Sequence, residues 1–242
     1  MKSVARTDRG RVRSINQDVV MALDEFTKVP FNLYIVADGM GGAKAGDYAA
    51  KALVQYVKEY IDNHDEGTIG LIRKAIEYAN IKIYELSKNN EQLQGMGSTV
   101  VAAGISADTL YAFNVGDSRL YLVRDKLIQI TRDHSFVENE VAKGHITRES
   151  REYKLNKNYI TRAVGIEKEV EVDIFEVELL EGDKILLCSD GLSNMIDDKE
   201  IYDIISKSKS LDSAVDALIE TANEKGGTDN ISAILINYER EV

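Results

Sequence analysis

Two hundred and forty-two residues fit one large domain or two small ones, and they can bury a core without help from a disulfide or a structural metal. Hydrophobic residues at 44% and charged residues at 29% give the balance of an ordinary globular chain. The formal charge of −11 sets the surface against nucleic acid and anionic lipid, and the single cysteine, Cys188, excludes an internal disulfide framework and a four-cysteine zinc site.

Residues 31–37 form a short, apolar, β-branched run that stops at Asp38-Gly39, which predicts a buried strand ending at a glycine-rich loop. Apolar residues then recur at helical spacing from Ala45 to Ile61 and from Ile69 to Leu86, predicting two amphipathic helices, the first ending near Asn63. Strand signals follow at 98–104, 109–115, 119–124 and 126–131, joined by turns too short for parallel crossovers and hence antiparallel. Residues 135–153 are charged and weakly helical, the pattern of an irregular surface insertion. Strands are predicted at 170–179 and 184–189 around the turn Glu181-Gly-Asp183. Helices follow at 197–208 and 211–224, the second stopped by Gly226-Gly227, and a strand at 231–238 closes the chain.

Strands come in groups and helices in pairs, so the fold class is α+β with largely antiparallel sheets. About ten strands stack as sheets, with helices covering the outer faces. No linker, repeat or composition shift divides the chain, which predicts a single domain over 1–242. No apolar run approaches the roughly 18 residues that span a bilayer, and residues 1–8 lack the apolar core of a signal peptide. The expectation is a cytoplasmic protein without membrane insertion, and a lone cysteine suits that reducing compartment.

The aspartates carry the chemistry. Asp38 ends the run Leu33 to Ala37, Asp117 follows Tyr111-Ala-Phe-Asn-Val-Gly116, and Asp190 ends Ile185-Leu-Leu-Cys-Ser189. Asp229 precedes the strand at 231–236, and Asp18 closes Arg13-Ser-Ile-Asn-Gln-Asp18. Asp-Gly by itself is a common turn. Five such placements together point to carboxylates converging on one sheet edge, where they cannot all ionise without bound cations. An all-oxygen set suits magnesium, manganese or calcium rather than zinc. The loop Asp38-Gly-Met-Gly-Gly-Ala-Lys-Ala45 lacks the Gly-Lys-Ser/Thr of a phosphate loop, so its glycines are assigned to close backbone approach and to starting the next helix. Cys188 is followed by neither a phosphate loop nor an arginine, and it reads as a core residue rather than a nucleophile.

Eight short motifs stand in order along the chain: Arg13-Ser-Ile-Asn-Gln-Asp18, Asp38-Gly-Met-Gly-Gly42, Gly97-Ser-Thr-Val100, Gly116-Asp-Ser-Arg119, Asp133-His-Ser135, Thr161-Arg-Ala-Val-Gly165, Ser189-Asp-Gly-Leu192 and Asp229-Asn-Ile-Ser232. In that order the chain resembles the metal-dependent serine/threonine protein phosphatases of the 2C type, as a minimal bacterial member, from about Val4 to Tyr238.

The resemblance implies a four-layer αββα sandwich, two antiparallel β-sheets face to face with helix pairs outside. It implies two Mn2+ or Mg2+ ions, with Asp38 bridging them, the Gly39 carbonyl on the first, and Asp190 and Asp229 on the second. Asp18 would hold metal-bound water, Asp117 would share a third, weaker ion with Asp190, and Arg13 would grip the substrate phosphate. The implied reaction is hydrolysis of phosphoserine and phosphothreonine in proteins by direct attack of a hydroxide held between the ions, with Asp38, Arg13 and Asp190 as the catalytic set. The implied partner is a serine/threonine kinase, membrane-anchored, whose phosphorylation is reversed. Residues 135–160 would form a flap beside the site. Met40 stands where some animal relatives place a histidine, which leaves the leaving-group proton donor open between water and His134. The competing reading is a catalytically silent docking module that regulates a partner, which predicts lost metal ligands.

Overall fold

The computed structural model describes residues 1–25, 31–42, 45–64 and 67–240. Ala43 and Lys44 of the glycine-rich loop, Pro30 and the last two residues of the predicted single domain lie outside the described residues.

Two antiparallel sheets are stacked face to face. One runs in the order β1 (Lys2–Asp8), β11 (Ile231–Asn237), β10 (Lys184–Cys188), β7 (Arg119–Val123), β8 (Leu127–Gln129). The other runs β2 (Asp18–Leu23), β3 (Leu33–Met40), β5 (Val100–Ser106), β6 (Thr109–Val115), β9 (Asp173–Glu178), with the short β4 (Gly97–Ser98) paired to the end of β3. The long helices α1 (Ala45–Asp62) and α2 (Gly70–Asn89) cover the second sheet. α6 (Asp198–Lys207) and α7 (Leu211–Glu224) cover the first. The α+β sandwich expected from the sequence is therefore the fold observed.

The central strands bury both faces, which is why they read as unbroken apolar runs rather than as alternation. Leu33, Ile35 and Ala37 of β3 pack under α1 and α2, while Tyr34 and Val36 face the other sheet. Likewise Ile185 and Leu187 of β10 fill the space between the sheets, while Leu186 and Cys188 pack against α6 and α7. Cys188 is fully buried there, and burial pushes its thiol up to about 12, so it is inert as a nucleophile.

The helix starts follow local chemistry. Asp197 caps α6 by accepting from Glu200 N, and Ser210 and Ser213 close a reciprocal capping box on α7. Two strands were not anticipated. β1 lies at a sheet edge with mixed exposure and pairs with β11 from the far end of the chain, Lys2 opposite Asn237 and Asp8 opposite Ile231. β2 pairs with β3 so that Asp18 stands opposite Asp38. The predicted strand at 98–104 is broken at Thr99, whose hydroxyl is turned to the backbone of Asp38.

The insertion folds as two short helices, α3 (Phe136–Ala142) and α4 (Arg151–Asn156). Its two ends are pinned together by Phe136 N donating to Tyr159 O at 2.8 Å and Thr161 N to His134 O at 2.7 Å. Inside it, buried Glu138 accepts two bonds from Arg148, at 2.9 and 2.8 Å, and one from the Tyr153 hydroxyl at 2.7 Å.

Candidate metal-carboxylate site

Antiparallel pairing puts the start of β2, the end of β3, the end of β6, the start of β7, the end of β10 and the start of β11 at one end of the sandwich. Those are the strand ends that carry Asp18, Asp38, Asp117, Asp190 and Asp229. Arg13, Asp38, Gly39, Asp117, Asp190 and Asp229 line one cleft of about 560 Å³. Asp18 lies behind it, only 6% exposed. All seven residues singled out in the sequence thus meet in one place.

Two glycines allow the convergence. A Cβ on Gly39 would lie 2.0 Å from the Gly46 carbonyl oxygen, so only glycine lets the end of β3 meet the start of α1. A Cβ on Gly191 would lie 2.0 Å from the Asn230 carbonyl oxygen, so the loop of Asp190 seats directly on the loop of Asp229. α5 (Asp190–Ser193) begins at that seat, and Asn194 Nδ2 donates to Asp190 Oδ2 at 2.9 Å.

The carboxylates crowd one another. Burial pushes Asp18 up to about 7; hydrogen bonds from Ser232 and Ser189 oppose the shift, and Asp190 and Asp229 add to it. Burial also holds Asp38 well above the usual carboxylate range, reinforced by the charges of Asp18, Asp190, Asp117 and Asp229. Asp117 is raised well above that range by burial and then by Asp190 and Asp133, and Asp190 is raised to about 6 by burial and Asp229. A cluster built this way asks for cations.

The fit is visible atom by atom. Asp18 Oδ1, Asp117 Oδ1 and Asp190 Oδ1 are enclosed and accept no hydrogen bond, although enclosed oxygens are normally satisfied. Among the described residues, no group of three or more His, Cys, Asp or Glu side chains is placed to hold a metal ion by itself. Ions held here would share these carboxylates and complete their shells with carbonyl oxygen and water, as hard cations do. The donor set is oxygen throughout and suits Mn2+ or Mg2+.

Arg13 stands at the mouth with half its side chain exposed, and its Nη2 donates to Asp229 Oδ2 at 2.6 Å. His134 does not line the cleft. Its Nδ1 accepts from Gly116 N at 3.0 Å, and its Nε2 faces Asp173 at 3.1 Å and Arg162 at 3.1 Å. Burial holds it below the ordinary imidazole value, against the pull of Asp173. The ring fixes the turn before Asp117 and does not reach the cleft.

Supporting residues were not singled out from the sequence. Ser189 Oγ donates to Asp18 Oδ2 at 2.7 Å. Asn230 accepts from Gln17 N at 2.9 Å and donates to the carbonyls of Arg9 and Ile15 at 2.8 and 3.0 Å, shaping the loop that presents Arg13. Thr99 Oγ1 accepts from Asp38 N at 3.2 Å and meets Ser118 Oγ at 2.7 Å. The signal available was their place inside the motifs, next to the aspartates they hold.

Residues 9–236 match the family model described as protein phosphatase 2C. The chain is 39% identical to the serine/threonine phosphatase stp of Listeria welshimeri, over 98% of this chain and 95% of that protein. The solved serine/threonine phosphatase PstP/Ppp of Mycobacterium tuberculosis superposes with a TM-score of 0.88 at 34% identity, over 99% of each chain. The catalytic domain of serine threonine protein phosphatase PstP, solved in complex with two manganese ions, matches with a TM-score of 0.84 at 34% identity, over 97% of this chain and 96% of that one.

Proposed function

The chain belongs to the protein phosphatase 2C family and is a metal-dependent serine/threonine protein phosphatase that uses two Mn2+ or Mg2+ ions; from that premise we propose which of its residues carry the reaction. Asp38 would be shared by the two ions, with the Gly39 carbonyl serving the first and Asp190 and Asp229 the second. Asp18, behind the cleft, would hold the water of the site, and Asp117 with Asp190 would hold a third, weaker ion. When bound, the ions neutralise the phosphoryl charge and acidify a water toward neutral pH.

Arg13 orients the phosphoryl group. Its Nη2 is anchored on Asp229, which fixes the planar guanidinium at the cleft and leaves its other N–H groups for phosphoryl oxygens, a rigid set of donors that lysine does not reproduce. Asp38, Arg13 and Asp190 are the catalytic set. The observation that carries this reading is the convergence of five strand-end aspartates with three enclosed, unpartnered carboxylate oxygens. The silent docking module requires lost ligands, and Asp38, Asp190 and Asp229 are all present.

The finer reading is one domain over 1–242, with residues 135–160 as a flap beside the cleft; Asn158, Tyr159 and Ile160 line its wall. The partner that the family resemblance implies is a serine/threonine kinase, membrane-anchored, whose phosphorylation this chain reverses on the cytoplasmic side. Among the described residues no helix is long and apolar enough to cross a membrane.

The test is phosphate release from a phosphothreonine peptide with manganese, with magnesium and with excess chelator, beside an Asp190→Asn preparation. Loss of even a supporting residue in a metal site costs about 10–100-fold, so the variant should lose at least about a hundredfold in kcat/KM with unchanged circular dichroism. Full activity in Asp190→Asn would remove Asp190 from the site. Release that survives chelation would overturn the ion assignment.

A further inference from the structure

A second chamber, of about 400 Å³, adjoins the cleft and shares Met40 and Ile160 with it. Its lining continues with the apolar Ala163, Ile166 and Val170, and three exposed glutamates, Glu167, Glu169 and Glu171, stand with them. The one cation in the lining, Arg162, is committed: Nη1 donates to Asp173 at 2.6 Å and Nη2 to Glu171 at 3.0 Å. Among the described residues no cation pairs with Glu167 or Glu169.

The chamber is held in shape from behind. Buried Asn80 of α2 accepts from Gly165 N at 2.7 Å and donates to the carbonyls of Glu167 and Lys168 at 3.1 Å each. Val164 and Ser98 exchange backbone hydrogen bonds at 2.9 and 3.0 Å, which ties the segment to β4 beside Asp38.

We propose that this chamber is a substrate subsite for a lysine or arginine side chain lying close in sequence to the phosphorylated serine or threonine. The inference rests on the placement of the catalytic cleft given above. An extended chain advances about 3.3 Å per residue, so a side chain within about three residues of the phosphorylated one reaches a chamber that shares a wall with the cleft. A lysine or arginine lays its methylene stem on Met40, Ile160, Ile166 and Val170 and keeps its charged head at the glutamates. An acidic side chain meets repulsion there, and an aliphatic one leaves the carboxylates unused. The substrate is thus read as a doublet, with the phosphate at Arg13 and the ions and the positive charge at the glutamates.

The experiment uses the full chain with manganese and a set of phosphothreonine peptides, identical except for lysine, alanine, leucine or glutamate at each position from three before to three after the phosphothreonine. At one position or two adjacent ones, kcat/KM for lysine should exceed that for alanine by about threefold to tenfold, the size expected of exposed charge pairs, with glutamate below alanine. That preference should shrink in Glu167→Lys/Glu169→Lys and, for the unaltered protein, in high salt. Equal rates across the set would overturn the subsite. Lysine favoured equally at every position would do the same, since that is the general attraction of a chain of charge −11. So would leucine matching lysine, or a preference unchanged in the double variant. Hydrolysis of p-nitrophenyl phosphate, which has no flanking residue, separates the two readings: hydrolysis with a flat peptide profile overturns the subsite alone, and its failure overturns the catalytic placement together with the subsite.

Discussion

Ser189 fixes one side of Asp18: it donates to Asp18 Oδ2 at 2.7 Å while Asp18 Oδ1 accepts no hydrogen bond. Fixing one oxygen aims the other. Ser189→Ala should therefore weaken manganese binding by about 10–100-fold, the usual cost of losing a supporting group. Calorimetric titration reads this directly, and an unchanged affinity would reduce Ser189 to packing. Arg13 has a different signature. It touches Asp229 and faces the cleft, so Arg13→Ala should raise KM for phosphopeptide by about tenfold or more, in the range of a charge-assisted bidentate contact. Manganese affinity should not fall, because the substitution frees a carboxylate. Arg13→Lys should not restore KM. A KM unaltered in both variants would refute the phosphate role.

At the scale of elements, the strand ends and the flap behave differently. β3, β10 and β11 are buried on both faces, and their ends are held by backbone pairing and by the close approaches at Gly39 and Gly191. The flap is held by side chains. Glu138 is 5% exposed, and although burial pushes its carboxyl up, Arg148 and the Tyr153 hydroxyl hold it below the ordinary value. Such a clasp is present above the ordinary carboxylate range and is lost as pH falls through the depressed value. Removing one partner leaves a buried carboxylate short of donors, at a cost of about 1–3 kcal/mol. Arg148→Met should accelerate hydrogen exchange across 136–156 while the exchange of β10 and β11 stays as it was. Equal protection in variant and parent would show that the clasp does not hold the flap.

For the whole molecule, the carboxylate cluster sets a pH dependence. Asp18 and Asp190 are raised to about 7 and about 6, and Asp38 and Asp117 stand well above 3.8. Between about pH 4 and pH 7 the folded protein keeps protons that the unfolded chain has released, so its stability without divalent ions falls as pH rises through that window. The chelated protein should thus melt several degrees lower at pH 7.5 than at pH 5, given about 2–4 °C per kcal/mol for a chain of this size. Manganese should reverse the order, because it binds the folded, deprotonated cluster. Calorimetric scans at the two pH values, with chelator and with manganese, check this. A chelated protein that melts higher at pH 7.5 would mean that the carboxylates do not share a site.

By itself the sequence determined the strands whose two faces are buried, the four long helices and the aspartates at the strand ends. Local hydrophobic periodicity and turn chemistry act within a few residues, and such features need no partner to be recognised. It also determined the family, because eight motifs in order are a property of the string. The tertiary structure decided what depends on residues far apart. β1 is a strand because β11 lies beside it, and β2 is one because it pairs with β3, in a register that sets Asp18 opposite Asp38. Ser189, Asn230 and Asn80 acquire roles only through bonds to groups brought near by folding. The glutamates at 167, 169 and 171 belong to none of the eight motifs, and only folding beside Met40 and Ile160 makes them the rim of a chamber. Charge and periodicity are local properties of a chain, whereas register, close backbone approach and shared cavities exist only once distant segments have packed.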